Sequence, residues 1–178
     1  CGMYIKEYLD LRIDSPDPFK QVGEILTKGM NVMDGYYINP EASNTVLSPD
    51  GWLHTGDLGV LDPDGYLYIK GRSKSLILGP SGQNIYPEEI EDLLNAQPYI
   101  AESLVIEREG KLVALVYPDA EAMKQNKISR EALLKIIHET RKQINQQIPA
   151  YSQIARIEIH DEEFEKTPKR SIKRFLYQ

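Results

Sequence analysis

Cations crowd the end of an otherwise acidic chain. The stretch TPKRSIKRFLYQ, Thr167 to Gln178, holds Lys169, Arg170, Lys173 and Arg174, although the net charge of the whole is −6. A basic tail is commonly just solvated. The chemical alternative is a cation swung toward phosphate or carboxylate oxygens. A second candidate is Asp57 in GWLHTGDLG, after a Thr-Gly turn. A carboxylate there can accept two hydrogen bonds from adjacent hydroxyls, as a ribose offers, or simply close a turn. Spacing alone favours the turn, and His54 reads as a surface or packing residue. The third is GRSKSLILGPSGQNIYPEEIE, where Arg72 and Lys74 lie on a connector and a glycine-bearing loop precedes a helix start. Free amides at a helix N-terminus favour anions. The stretch matches neither GxGxxG nor GxxxxGK[ST], so a charged linker with a helix cap is the plainer reading.

Other chemistries find little support. The histidines at 54, 138 and 160 stand far apart without metal-ligand spacing, and Cys1 is the sole cysteine. No metal site, internal disulfide or Cys-based zinc site is expected. No Gly-x-Ser-x-Gly elbow is present. An acidic chain is a poor general binder of nucleic acid or anionic membrane. No apolar run approaches the roughly 20 residues that span a bilayer, and no signal peptide opens the chain. A cytoplasmic, reducing setting is expected. The first residue is Cys1 rather than methionine and falls where the sequence reads as strand, which predicts a piece of a longer protein.

The elements that must position these residues fall into two modules within 178 residues. MYIKEYLDLRID and VGEILTKG read as strands, residues 34–56 as loop, and LGVLDPDGYLYIKG as a hairpin turned by Asp-Gly. Residues 1–71 are therefore predicted to be β and loop, without a helix. From Arg72 onward the expectation is α+β. PEEIEDLLNAQ is a helix with Pro87 at its first position and Ile90, Leu93 and Leu94 on one face. IAESLVIERE and KLVALVYPD form a hairpin through Glu109-Gly110. A helix runs from about Ser129 to Gln147, IARIEIHD is a last strand, and the tail follows.

Three blocks in order, GEILTKGMNVMDGYYINPEAS, DGWLHTGDLGVLDPDGYLYIKGRSKSLI and GQNIYPEEIE, resemble the end of an adenylate-forming, AMP-binding enzyme. That superfamily joins acyl-CoA synthetases, peptide-synthetase adenylation domains and firefly luciferase, and the pattern is most similar to a long-chain fatty acid–CoA ligase. The resemblance covers about residues 22–178. It implies a two-part fold: residues 1–71 as the last β-subdomain of a large AMP-binding domain, and residues 72–178 as a mobile α+β lid with a small sheet packed by helices. It implies ATP (leaving as AMP, with Mg2+), coenzyme A and a fatty acid as substrates, and a large N-terminal domain as the missing partner. Without that domain the piece alone is expected to be inactive. Asp57 then matches the ribose-binding aspartate, Arg72 a nucleotide-contacting arginine and Lys74 the hinge. The loop of Gly79, Ser81, Gly82 and Gln83 matches a segment facing the CoA tunnel. Gly35 and Tyr36 match a structural Gly-Tyr pair.

The tail resembles the family's closing motif, whose lysine bonds the attacking carboxylate and the phosphate. Aligned on Pro168, Ile172 and Arg174, that lysine's position holds Ser171, which leaves Lys169 and Lys173 as replacements, Lys173 preferred. A carrier-protein loader would share every motif here. A free-standing binding module is the non-enzymatic alternative.

Overall fold

The computed structural model describes residues 2–4 and 6–178; Cys1 and Ile5, both in the predicted opening strand, lie outside the described residues. The fold is α+β, and its contacts gather into two units, one ending at Lys74 and the other Ser75–Gln178.

The first unit is an antiparallel sheet of β1 (Gly2–Met3), β2 (Leu9–Asp14), β3 (Gly23–Gly29), β4 (Leu53–Leu61) and β5 (Tyr66–Arg72), in the order β1-β5-β4-β3-β2. MYIKEYLDLRID is thus not one strand. Residues 6–8 turn, and β1 and β2 occupy opposite edges of the sheet. Strict alternation begins only at Leu9: Leu9, Leu11 and Ile13 are the shielded positions, whereas Asp10, Arg12 and Asp14 are exposed. Gly23 has no room for a side chain, since a Cβ would lie 2.2 Å from Asp14 O. The β4–β5 hairpin forms as Asp-Gly predicts. Asp62 Oδ1 accepts from Asp64 N and Tyr66 N at 3.0 and 2.8 Å, and Gly65 takes the left-handed φ of +86°.

This unit is not free of helix, contrary to expectation. Pro40–Val46 forms α1, capped by Asn39 Oδ1, which accepts from Ala42 N at 3.0 Å. An Asn cap, a proline at the first position and Glu41 are start signals. They are easily read as loop because none of the seven helical residues is buried, so no apolar stripe accompanies them. The predicted loop is also shorter than 34–56, since β4 begins at Leu53.

The second unit opens with a short hairpin of β6 (Ile77–Leu78) and β7 (Asn84–Ile85), then α2 (Pro87–Asn95), β8 (Ile100–Arg108) and β9 (Lys111–Pro118). Glu109 and Gly110 join β8 to β9 with φ of +54° and +73°, a two-residue turn whose twist suits the hairpin. A crossover through α3 (Ala120–Gln125) and α4 (Arg130–Gln147) then delivers β10 (Ile154–Ile159) parallel to β9. Ser129 caps α4 as expected, accepting from Ala132 N. The helix α3 lies outside the predicted elements. Asp119 caps it, but it buries nothing.

The sheet β10-β9-β8 is covered on both faces. Along β9, Leu112, Ala114 and Val116 pack with Ile90 and Leu94 of α2 and Leu133, Ile137 and Ile144 of α4. Val113 and Leu115 face the other way, with Leu104, Ile106 and Phe164. The unbroken apolar run LVALV is the signature of a strand buried on both sides. The second cover is the tail itself, through Phe164, Ile172 and Tyr177. Leu94 is fully buried in the first cluster. Leu94→Ala is expected to lower unfolding free energy by about 2–5 kcal/mol, read by urea denaturation.

Candidate functional site

In the first unit, Asp57 does not sit in a turn. It lies within β4, directly opposite Arg72 of β5, and Arg72 Nε meets Asp57 Oδ1 at 2.7 Å. The two residues singled out from separate motifs are therefore a cross-strand pair. Arg72 is 64% exposed at its side chain, so the pair adds little to stability. Its interest is the presentation of a carboxylate and a guanidinium side by side.

A bulge sets this geometry. Glu24 of β3 faces Leu58 while Leu26 faces His54, so Ile25 alone opposes residues 55–57. Gly56 bends the strand with φ of +73°. Glu24 braces the bulge: Oε1 accepts from Gly56 N at 2.9 Å, and Oε2 lies 2.9 Å from His54 Nδ1. Thr55 Oγ1 donates to Ile25 O and accepts from Asp57 N. Glu24 and the bracing role of His54 were not foreseen, because only the pairing register reveals them.

Lys74 is exposed in a 3-10 turn, Ser73–Ser75, at the end of the first unit. Just beyond it, Gly79, Ser81 and Gln83 line a cavity of about 480 Å³ together with Lys111, Tyr151 and Gln153. Gly82 is not in that lining. It is the left-handed residue of the β6–β7 turn, at φ +80°. Gln83 Oε1 is buried and has no hydrogen-bond partner among the described residues. Lys111 and Tyr151 come from the β8–β9 turn and the segment after α4, so sequence order gave no cue to their meeting.

The tail is fastened down at several points. Arg174 forks onto Glu91 of α2, with NH1 to Oε2 at 3.0 Å and NH2 to Oε1 at 2.8 Å, and also donates to Val105 O. Glu91 is 8% exposed and takes a further bond from Val105 N at 2.6 Å. Lys166 lies between Glu102 and Glu163 at 2.7 and 2.6 Å. Tyr177 stands edge-on to Phe164 and His160, and its hydroxyl accepts from Glu165 N. Lys166 and Ile172 pair as a bridge, so residues 165–173 form a small hairpin with Pro168, Lys169 and Arg170 exposed at its tip. Lys173, the preferred replacement lysine, is bound to Glu165 at 3.1 Å; Lys169 is exposed. Glu91 was legible in principle. It shares the buried helical face of Pro87, Ile90 and Leu94, and a carboxylate on such a face requires a cation.

Among the described residues no cluster of three His, Cys, Asp or Glu could hold a metal, and no helix is long and apolar enough to cross a membrane.

With this α+β unit the chain belongs to the AMP-binding enzyme C-terminal domain family, whose model matches residues 74–177. Those residues are thus the C-terminal domain of an AMP-binding enzyme. Sulfoacetate–CoA ligase of Cupriavidus necator is 46% identical over 95 residues, 53% of this chain and 18% of the relative. Probable acyl-activating enzyme 4 of Arabidopsis thaliana is 34% identical over 163 residues, 87% of this chain and 27% of the relative. O-succinylbenzoate coenzyme A synthetase from Bacillus subtilis, solved in complex with AMP, superposes with a TM-score of 0.73 at 27% identity, covering 96% of this chain and 34% of that one. The chain therefore spans between 18% and 27% of the length of these curated relatives.

Burial pushes the Glu91 carboxyl above its ordinary value of 4.5, while the Arg174 hydrogen bonds and charge pull it back. Arg174→Met removes the opposing pull and strands a buried carboxylate, a loss of about 3–5 kcal/mol at neutral pH. Because the folded value then lies further above the unfolded one, the defect is least below 4.5 and grows as pH rises toward the raised value. Denaturation curves across that range should show it, and Glu91→Gln with Arg174→Met should recover much of the loss.

Proposed function

We propose that this chain is the C-terminal part of an ATP-dependent acid–CoA ligase that makes an acyl-adenylate and then an acyl thioester. The match of residues 74–177 to the family carries the reading, joined to relatives that are themselves named as acid–CoA ligases. In the first half-reaction a carboxylate oxygen of the acid attacks the α-phosphorus of ATP. A C–O–P linkage forms, and the bond to pyrophosphate breaks. In the second, the CoA thiolate attacks the acyl carbon, the bond to AMP breaks, and the thiol proton goes to solvent.

Asp57 is proposed to accept the ribose hydroxyls and Arg72, beside it, to face the nucleotide phosphate. The rigid cross-strand placement of the pair supports this division of labour. Lys74 is proposed as the pivot between half-reactions, supported by the division of contacts immediately after it. The cavity lined by Gly79, Ser81 and Gln83 is proposed to take CoA, with Gly82 shaping the turn. The unpaired Gln83 Oε1 suits an amide N–H of a pantetheine arm, and Lys111 suits its phosphates. The tail hairpin is proposed to supply a cation to the first half-reaction. Lys173 is held by Glu165, so the exposed tip that includes Lys169 fits this role better. Mg2+ enters with ATP as part of the substrate. A large N-terminal domain is the proposed partner; the nearly bare Met30, Tyr37 and Ile38, at 96%, 92% and 82% exposure, are apolar surface that such a domain would cover.

The motif resemblance implies a long-chain fatty acid, whereas the relatives are named for sulfoacetate and O-succinylbenzoate. The test is pyrophosphate exchange by the full-length enzyme with long-chain, aryl and short polar acids, followed by thioester formation with CoA or a carrier protein. Exchange with at least one acid and transfer to CoA are expected. Transfer only to a carrier protein would replace CoA as the acceptor. Asp57→Ala should raise the KM for ATP about 10- to 100-fold, the loss of charge-assisted hydrogen bonds. Lys111→Ala should slow thioester formation at limiting CoA while leaving exchange intact.

A further inference from the structure

Two loops of the second unit share one backbone design. In residues 79–83, Gly82 N donates to Gly79 O at 2.9 Å and Gly79 N to Gln83 O at 2.8 Å. In residues 167–171, Arg170 N donates to Thr167 O and Thr167 N to Ser171 O, both at 2.8 Å. Each carries proline at the second position, Pro80 and Pro168, where its fixed φ suits a turn. Each closes on a left-handed residue, Gly82 at φ +80° and Arg170 at φ +62°. This is the three-residue hairpin in which a turn is followed by a left-handed bulge residue. Glycine is the low-energy occupant of that last place. The first loop uses it; the tail puts an arginine there.

Nothing in the fold uses the arginine side chain. It is exposed and makes no hydrogen bond or ion pair among the described residues, acting on Glu163 only through space. The charges flanking the tip are already committed: Lys166 to Glu102 and Glu163, Lys173 to Glu165, Arg174 to Glu91. Lys169 is exposed too, but it occupies an ordinary turn position that any residue adopts without strain. Ile38, Tyr99, Glu109 and Lys127 share the left-handed φ, so strain alone assigns no role. Arg170 differs from them in standing at the exposed tip of a hairpin whose base is fastened by Lys166, Lys173 and Arg174.

We propose that Arg170 is the tail cation that contacts the reacting anion during adenylation. It takes the role that the motif resemblance gives to a lysine one position later, where this chain has Ser171. The proposal rests on the ligase reading above. A guanidinium offers two parallel N–H donors to two oxygens of a carboxylate or phosphate and stays protonated throughout. No proton moves through it. As the acid's oxygen bonds to the α-phosphorus and the electron pair leaves with pyrophosphate, Arg170 offsets the charge gathering on the phosphoryl oxygens.

The test pairs thermal melting of this chain with pyrophosphate exchange by the full-length enzyme. Arg170→Gly is expected to melt at the same or a higher temperature, since glycine relieves the left-handed strain. Its exchange is expected to fall about 100- to 1,000-fold, more than with Lys169→Ala or Lys173→Ala. Adding Ser171→Lys to Arg170→Gly should restore much of the exchange by returning a cation one position along. Wild-type exchange in Arg170→Gly overturns the proposal, as does a larger loss from either lysine variant. A markedly lower melting temperature assigns Arg170 to the fold and overturns it as well. An unmutated enzyme inert toward every acid in the panel sinks the ligase reading itself, a different result from a selective loss in one variant.

Discussion

A carboxylate taken out of water needs a cation and nearly all of its hydrogen-bonding capacity filled. Glu91, on the buried face of α2, imposes that demand on the second unit, and Arg174 meets it from 83 residues further along the chain. The same carboxylate receives Val105 N, so one side chain joins a helix, a strand and the tail. With Arg174 seated, Phe164, Ile172 and Tyr177 lie against the second face of the sheet, and the hairpin between them has a fixed base. The tip can then be exposed and still be precisely placed.

Carboxylates on neighbouring elements serve the first unit in a similar way. Glu24 spans the bulge in β4, holding Gly56 through its amide and His54 through its ring. It lies in GEILTKG, the start of the first resembling block, where the sequence gives it no role, yet it fixes the strand path on which Asp57 faces Arg72. The two pairs differ in energetic character. Asp57 and Arg72 are open to solvent, where an ion pair contributes little to folding and remains available to a ligand. Glu91 and Arg174 are shielded, where the pair is costly to break and unavailable.

Local chemistry was legible where local chemistry decides. Asp-Gly at 64–65, Glu-Gly at 109–110, Pro87 and Ser129 all mark boundaries that the fold keeps. The helices α1 and α3 were not, because each is short and buries nothing, so capping residues were their only signal. The α+β class followed from the apolar periods of α2, α4 and the strands. Of the site, Asp57, Arg72 and Lys74 could be named from motif resemblance, but that Asp57 and Arg72 face each other across a ladder is a matter of register, which one bulge alters. Lys173 is the preferred tail lysine on the motif resemblance alone. Its bond to Glu165 depends on the tail folding back on itself, which no periodicity announces. KLVALVYPD is legible as a strand of a hairpin, but that both of its faces are covered, one of them by the tail, is not.

The span between Glu91 and Arg174 also bears on kinetics. The β8–β9 hairpin closes through a two-residue turn and α2 packs beside it in sequence, so these contacts are local and form early. The tail contacts close a loop of more than eighty residues and come late. Interactions absent from the transition state leave the folding rate nearly untouched and act on the rate of escape from the native state. The clasp formed by Glu91 and Arg174 is therefore expected to act as a brake on unfolding, setting how long the tip of the tail stays presented once the sheet has been covered.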